Sequence, residues 1–205
     1  MRTQILKRLS FVAGTVALLA GTATHAEGDA AAGRIKFETC AGCHARPGYA
    51  NAYPRYHVPK LAGQHKNYVI ASIKSYADND RKHGAMDGNA DGLAPQDVED
   101  IAVYLAQFEP VANDATITGD AETGKEKAAS CAGCHGETGD SSDPNFPRLA
   151  GQYESYLVKA LQDYKSGARN NPMMNGMANG LSEEDILDIS AYYASQEKGL
   201  GTVER

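Results

Sequence analysis

Cys40-Ala41-Gly42-Cys43-His44 is repeated as Cys131-Ala132-Gly133-Cys134-His135, 91 residues further on, and the two pentapeptides hold all four cysteines of the chain. The repetition continues on both sides of the motif. Upstream, Gly28-Asp29-Ala30 and Gly33 match Gly119-Asp120-Ala121 and Gly124 at the same offset. Downstream, Pro59-Lys60-Leu61-Ala62-Gly63-Gln64 matches Pro147-Arg148-Leu149-Ala150-Gly151-Gln152 at an offset of 88. Arg81, Met86, Leu93 and Tyr104 match Arg169, Met174, Leu181 and Tyr192 at that offset too. The first copy is therefore three residues longer between His44 and Pro59, and a length change confined to one segment marks a loop. Self-similarity on this scale reads as two tandem units. Each unit, of roughly 80–90 residues, is small for a hydrophobic core standing alone, so a large apolar group bonded to the chain is expected to help hold it.

Arg2, Lys7 and Arg8, an uncharged stretch from Leu9 to Ala23, and the small residues around Thr24-His25-Ala26 have the layout of a secretory signal peptide, residues 1–26. The alternative is a retained anchor, but the apolar stretch falls short of the roughly 20 residues that a spanning helix needs. The mature chain would run over residues 27–205, with an N-terminal domain at 27–108, a linker at 109–118 and a C-terminal domain at 119–205. It carries 17 Lys and Arg against 26 Asp and Glu, a net charge of −9. That balance argues against nucleic-acid binding, which needs clustered cations to neutralise phosphates, and permits steering toward a basic partner.

The coarse secondary structure is helical. Residues 29–39 and 120–130 read as short helices leading into the cysteine motifs, and 64–77 and 152–165 as amphipathic helices. Residues 95–108 place Val98, Ile101, Ala102 and Leu105 on one face; 182–195 do the same with Ile186, Ile189 and Tyr193. Ser182 with Asp185 has the form of a capping box, and Pro95 suits a first helical position. No alternating run is long enough for a sheet.

Two thiols separated by two residues can each form a thioether to a haem vinyl group, with the adjacent histidine reaching the iron from the same face. A thioredoxin-like redox pair would need a βαβ context, and a zinc ribbon would need its two pairs about 15–20 residues apart. Disulfides would not require His44 and His135 to follow directly. The reading is thus two covalently bound haem c groups, attached at Cys40 and Cys43 and at Cys131 and Cys134, with His44 and His135 on the irons. Methionine is a known partner for histidine on a haem iron. Met86 is the only methionine of the first copy; in the second, Met173, Met174 and Met177 compete, and repeat alignment selects Met174. His57, His65 and His83 have no counterpart in the second copy and read as hydrogen-bonded or solvent-facing, with His83 a lesser candidate ligand.

These residues resemble the cytochrome c4 family, two-haem proteins of two class I cytochrome c domains. The likeness spans nearly all of the mature chain and is densest in the paired motifs and in Pro144-Asn145-Phe146-Pro147-Arg148-Leu149-Ala150-Gly151-Gln152. It implies an all-α fold of two tandem domains, each wrapped around one haem, with His/Met ligation at both irons. It also implies a loop proline whose carbonyl orients the haem histidine, a role for which Pro144 stands ready while Tyr56 takes the equivalent place in the first copy. Gly33 and Gly124 would let the first helix of each unit cross closely over the last. Arg81 and Arg169 are either propionate partners or exposed.

The function that follows is periplasmic electron transfer in a respiratory chain toward a terminal oxidase, with a membrane respiratory complex or the oxidase as redox partner and loose membrane association at most. The alternatives are a cytochrome subunit of a periplasmic dehydrogenase, such as a flavoprotein sulfide dehydrogenase, and a haem peroxidase. No catalytic constellation is visible beyond the two sites, so the chain reads as an electron carrier and not an enzyme.

Overall fold

In the computed structural model, which describes residues 27–113 and 115–204, each copy begins with an aspartate cap. The signal-peptide reading falls on residues 1–26 and lies outside the described residues. Asp29 accepts from the backbone N–H groups of Ala31 and Ala32 and starts α1 (Ala30–Lys36); Asp120 does the same for Glu122 and Thr123 at α6 (Ala121–Lys127). The motifs are themselves helical, one step beyond the leading helices. The first lies on α2 (Glu38–His44); a 3₁₀ turn (Ala128–Ser130) delivers the second to α7 (Ala132–His135). The first copy continues with α3 (Lys66–Ala77), α4 (Gly84–Asp91) and α5 (Pro95–Ala106). The second repeats this as α8 (Glu154–Ser166), α9 (Pro172–Asn179) and α10 (Glu183–Ala194). β1 (Val111–Ala112) and β2 (Lys198–Gly199) form a short antiparallel pair.

In each domain the first helix crosses the last at a glycine. A Cβ on Gly33 would lie 2.0 Å from the Asp100 carbonyl oxygen, and one on Gly124 would lie 1.9 Å from that of Asp188. The crossing is fastened by charge. Asp100 accepts from the Asp29 N–H (2.8 Å) and from Lys36 Nζ (2.5 Å), and Asp188 from the Asp120 N–H (3.0 Å) and from Lys127 Nζ (2.8 Å). Val98, Ile101, Ala102 and Leu105 on α5, and Ile186, Ile189 and Tyr193 on α10, are buried as their spacing requires. The Ser182–Asp185 capping box forms in both directions, at 3.0 and 2.9 Å.

The two domains meet through an interface that maps onto itself when the copies are exchanged. Gln64 donates to the Arg148 carbonyl (3.0 Å) and accepts from its N–H (2.9 Å); Gln152 makes the same pair with Lys60, at 2.9 Å both ways. Arg148 Nη1 donates to Gly63 O (2.5 Å) and Lys60 Nζ to Gly151 O (2.7 Å). These residues are equivalent in the repeat, so the contact has the logic of an isologous dimer within one chain.

Two strands of evidence for docking had no sequence signal. Asn113, in the linker, accepts from Lys60 Nζ and donates to the carbonyls of Ala194 and Gln196. The C-terminal segment then crosses back. Leu200 N–H bonds Ala150 O, Gly201 exchanges hydrogen bonds with Ala62 (3.0 Å each), and Val203, 3% exposed, joins the core of the first domain.

Gly33→Ala and Gly124→Ala should each cost about 2–3 kcal/mol, since backbone on the facing helix must give way, and chemical denaturation will show it. Lys36, then the Asp29 N–H and Gln96, hold the Asp100 carboxyl down at about 2. That stabilisation is fully present above the usual carboxylate range of about 4 and is lost as pH falls toward about 2. The stability difference between the protein and Asp100→Asn should therefore shrink across that window.

Candidate functional site

His44 ends α2 and His135 ends α7, so the helix delivers each imidazole to its pocket at a fixed height. His44 Nδ1 is 3.0 Å from Pro59 O and His135 Nδ1 is 3.0 Å from Pro147 O. A carbonyl can only accept, so each ring carries its proton on Nδ1 and leaves Nε2 as a lone-pair donor. Burial pushes both imidazoles below the usual histidine range, and the carbonyl bonds oppose it.

The orienting carbonyl is thus not that of Pro144, and Tyr56 has no such role in the first copy. The proline belongs to the Pro-(Lys/Arg)-Leu-Ala-Gly-Gln segment, which is rigid in both domains. Gln64 N–H bonds Leu61 O, Gln152 N–H bonds Leu149 O, and Gly63 and Gly151 turn the chain at φ of 85° and 69°. Pro144 lies earlier in the loop, inside a turn closed by the Phe146 N–H on Asp143 O. The longer first-copy loop therefore does not disturb the histidine's support.

In the first domain Cys40, Cys43, His44 and Met86 line one cavity of about 330 Å³. Phe37, Val58, Leu61, Val69, Ile73, Leu93, Ile101 and Leu105 make its walls apolar. The wall is completed by the second domain, through Tyr156, Leu157, Ala160 and Arg169. In the second domain Cys131 packs with Leu157, Ile189, Tyr193 and Leu181. His135 is buried with the edge of Phe146 against its ring at 6.3 Å. All four thiols are free of disulfides, as thioether formation needs.

Both methionines ride on helices that the sequence reading left unassigned. His83 Nδ1 accepts from the Met86 N–H (3.4 Å) at the start of α4, and Asn171 Oδ1 accepts from the Met174 N–H (3.1 Å) at the start of α9. Met86 and Met174 are both half-buried, whereas Met173 and Met177 are 57% and 42% exposed. His83 also faces the first cavity, with Nδ1 engaged by its capping bond. His57 and His65 face the other domain, through Ser155 Oγ (2.8 Å) and Ser141 O (2.7 Å).

Arg81 and Arg169, the residues left open above, are brought together by a backbone bridge between the domains. Each stacks on a tyrosine of its own copy, Arg81 on Tyr76 (4.6 Å) and Arg169 on Tyr164 (4.5 Å). Each donates to a tyrosine of the other copy, Arg81 to Tyr156 (2.6 Å) and Arg169 to Tyr68 (2.8 Å). Arg169 is only 7% exposed, against the expectation of an exposed arginine. Among the described residues neither guanidinium has a carboxylate partner. Burial would push the Tyr68 phenol up, but Arg169 and then Arg81 outweigh it and hold it at about 8. One buried and one half-buried cation without a carboxylate, beside a cavity lined by thiols and an oriented imidazole, fit a haem whose carboxylates would supply the missing charge. The Tyr193 hydroxyl, buried beside Cys131 without a partner among the described residues, is a further polar group awaiting one.

A family model described as cytochrome c matches residues 30–109 and again 121–197. The chain is 48% identical over 90 residues to the cytochrome c4 of Pseudomonas aeruginosa, a match that takes in 44% of this chain and 45% of that one, so it spans about half the length of that relative. It superposes on the cytochrome c4 structure of Acidithiobacillus ferrooxidans with a TM-score of 0.68 at 31% identity, covering 78% of this chain and 99% of that one. It also superposes on the thiosulfate dehydrogenase of Marichromatium purpuratum, with a TM-score of 0.72 at 28% identity, covering 82% of this chain and 40% of that one.

A nearby positive charge favours the reduced iron, which carries one positive charge fewer. In the haem-loaded protein Arg169→Leu should therefore lower the reduction potential of the first-domain site, and a spectroscopic redox titration will show the shift.

Proposed function

We propose a function from one premise: the chain belongs to the cytochrome c family, as a two-haem electron-transfer protein of the cytochrome c4 kind. Its cofactors are two covalently bound haem c groups, which supply a one-electron iron couple. Cys40 and Cys43 hold one, Cys131 and Cys134 the other. His44 and Met86 ligate the first iron, His135 and Met174 the second. The observation that carries this assignment is the cavity on which Cys40, Cys43, His44 and Met86 converge, with His44 Nδ1 tied to Pro59 O. Pro59 and Pro147 keep each imidazole in one tautomer, the apolar walls of the first cavity would exclude water, and α4 and α9 carry the methionines that would complete each iron's ligand set. Met174 is favoured over Met173 and Met177 by its burial and by its place at the same turn of α9 that Met86 has on α4.

The protein so built carries electrons in the periplasm, within a respiratory chain, between a membrane complex and a terminal oxidase. The secretory layout of residues 1–26 and the extracytoplasmic chemistry of haem attachment support that location, and the domains run over 27–108 and 119–205 about the linker. No helix among the described residues is long and apolar enough to cross a membrane. A second reading, the electron-accepting subunit of a dehydrogenase, draws on the likeness to the thiosulfate dehydrogenase structure. Rapid reduction by a thiosulfate-oxidising enzyme, with none by a membrane quinol complex, would favour it.

Met86→Leu and Met174→Leu, each loaded with haem, should each remove about half of the weak long-wavelength band of methionine-ligated ferric haem and lower one of two potentials. Retention of the full band in Met174→Leu would move the ligand to Met173 or Met177.

A further inference from the structure

The extra length of the first copy is a hairpin with an unusual charge. Ala50 bridges His57, and the Asn51 N–H to Tyr56 O (2.9 Å) and Val58 N–H to Tyr49 O (2.9 Å) bonds close its stem. The base is pinned to the second domain by Gly48 N–H on Tyr153 Oη (2.9 Å), and by His57 stacked on the Tyr153 ring (4.7 Å). The tip is therefore held in place while its side chains point outward. Tyr53 is 95% exposed and Tyr49 42% exposed, with Arg46 and Arg55 exposed beside them.

This segment sits in a sequence from Thr39 to Ala77 that contains no aspartate or glutamate, in a chain that has 26 of them. Arg46 and Arg55 have no ion-pair partner among the described residues. Tyr49, Asn51 and Tyr56 of the hairpin line the first haem cavity, as does the exposed Lys82, and Tyr56 meets the ring of His83 beside it. The one carboxylate lining that cavity, Asp163, is taken by Lys159. The matching loop of the second domain has the opposite sign. It carries Glu137, Asp140 and Asp143, and its single cation, Arg148, is paired with Asp140 at 2.8 Å.

We propose that the hairpin over residues 46–56 is the docking surface for an acidic redox protein that exchanges electrons with the first domain. The inference rests on the electron-transfer reading above and adds the partner's chemistry and its point of contact. Unpaired arginines draw an acidic surface in from a distance, and a protruding tyrosine supplies the desolvated anchor typical of an interface centre. A stem already closed before docking spares the ordering cost. One electron passes between the partner's centre and the first-domain iron, with no bond made or broken and no proton transferred. The acidic loop of the second domain repels the same partner, so the two loops discriminate between partners by charge.

The test uses haem-loaded protein and reduced plant-type ferredoxin, an acidic one-electron donor, in stopped-flow at low and high salt. Arg46→Glu with Arg55→Glu should slow the second-order rate about tenfold at low salt and flatten its salt dependence. Tyr53→Ala should slow it several-fold at both salts. Arg34→Glu with Lys125→Glu, an equal change in net charge away from the hairpin, should do much less. An unchanged rate in either hairpin variant, or an equal loss in the control, overturns the proposal. Haem spectra and full reduction by dithionite in every variant keep this result separate from the electron-carrier reading, which fails only if haem or its redox activity is missing.

Discussion

An arginine cannot escape burial by losing its proton, so the pair formed by Arg81 and Arg169 sets a condition on everything around it. Desolvating a cation costs several kcal/mol, and two within one interface also repel each other. Four tyrosines offer ring faces and hydroxyls, which soften the cost, and the pair in turn holds the Tyr68 phenol down at about 8. No carboxylate of the described residues pairs with either guanidinium, and the carboxylates at the edge of a bound haem would be of the right kind. The apolar cavity of the first unit is accordingly walled by both halves of the chain.

The quasi-symmetry of that interface makes its departures informative. Gln64 and Gln152, Lys60 and Arg148, and the two arginines trade equivalent roles. The departures sit in the first copy and at the chain's end: three histidines, a longer hairpin and a crossing tail. His57 and His65 bond to Ser155 and Ser141 of the other domain, and His83 stands where Asn171 caps the matching helix. One copy has thus specialised its rim while both keep the same imidazole support.

Much of this was legible in the chain itself. The duplicated pentapeptides, the apolar spacing of α5 and α10 and the Ser182 cap are local signals with local causes, and they read correctly; the close crossings at Gly33 and Gly124 came from the family resemblance. The methionine helices did not read. Gly84, Gly88 and Asn89, with Asn175, Gly176 and Gly180, carry poor helix propensity, and those turns exist because they pack on α3 and α8. The choice of Pro144 over Pro147 failed because both are loop prolines by sequence, and only the turn at Gly151 decides which carbonyl is held firm. The burial of Arg169 was invisible for the opposite reason, since its hydrogen-bond partner, Tyr68, lies 101 residues away.

The segment around Val203, beyond the last helix, bears on modularity. A tandem duplication suggests two parts that can be separated, yet the first domain's core includes a residue supplied from the far end of the chain. Cut out at the linker, that domain would present an unfilled slot beside Ala62, shaped for the segment around Leu200-Gly201-Thr202-Val203. The chain is closed on itself like a clasp: the segment that follows the second domain's last helix completes the core of the first half.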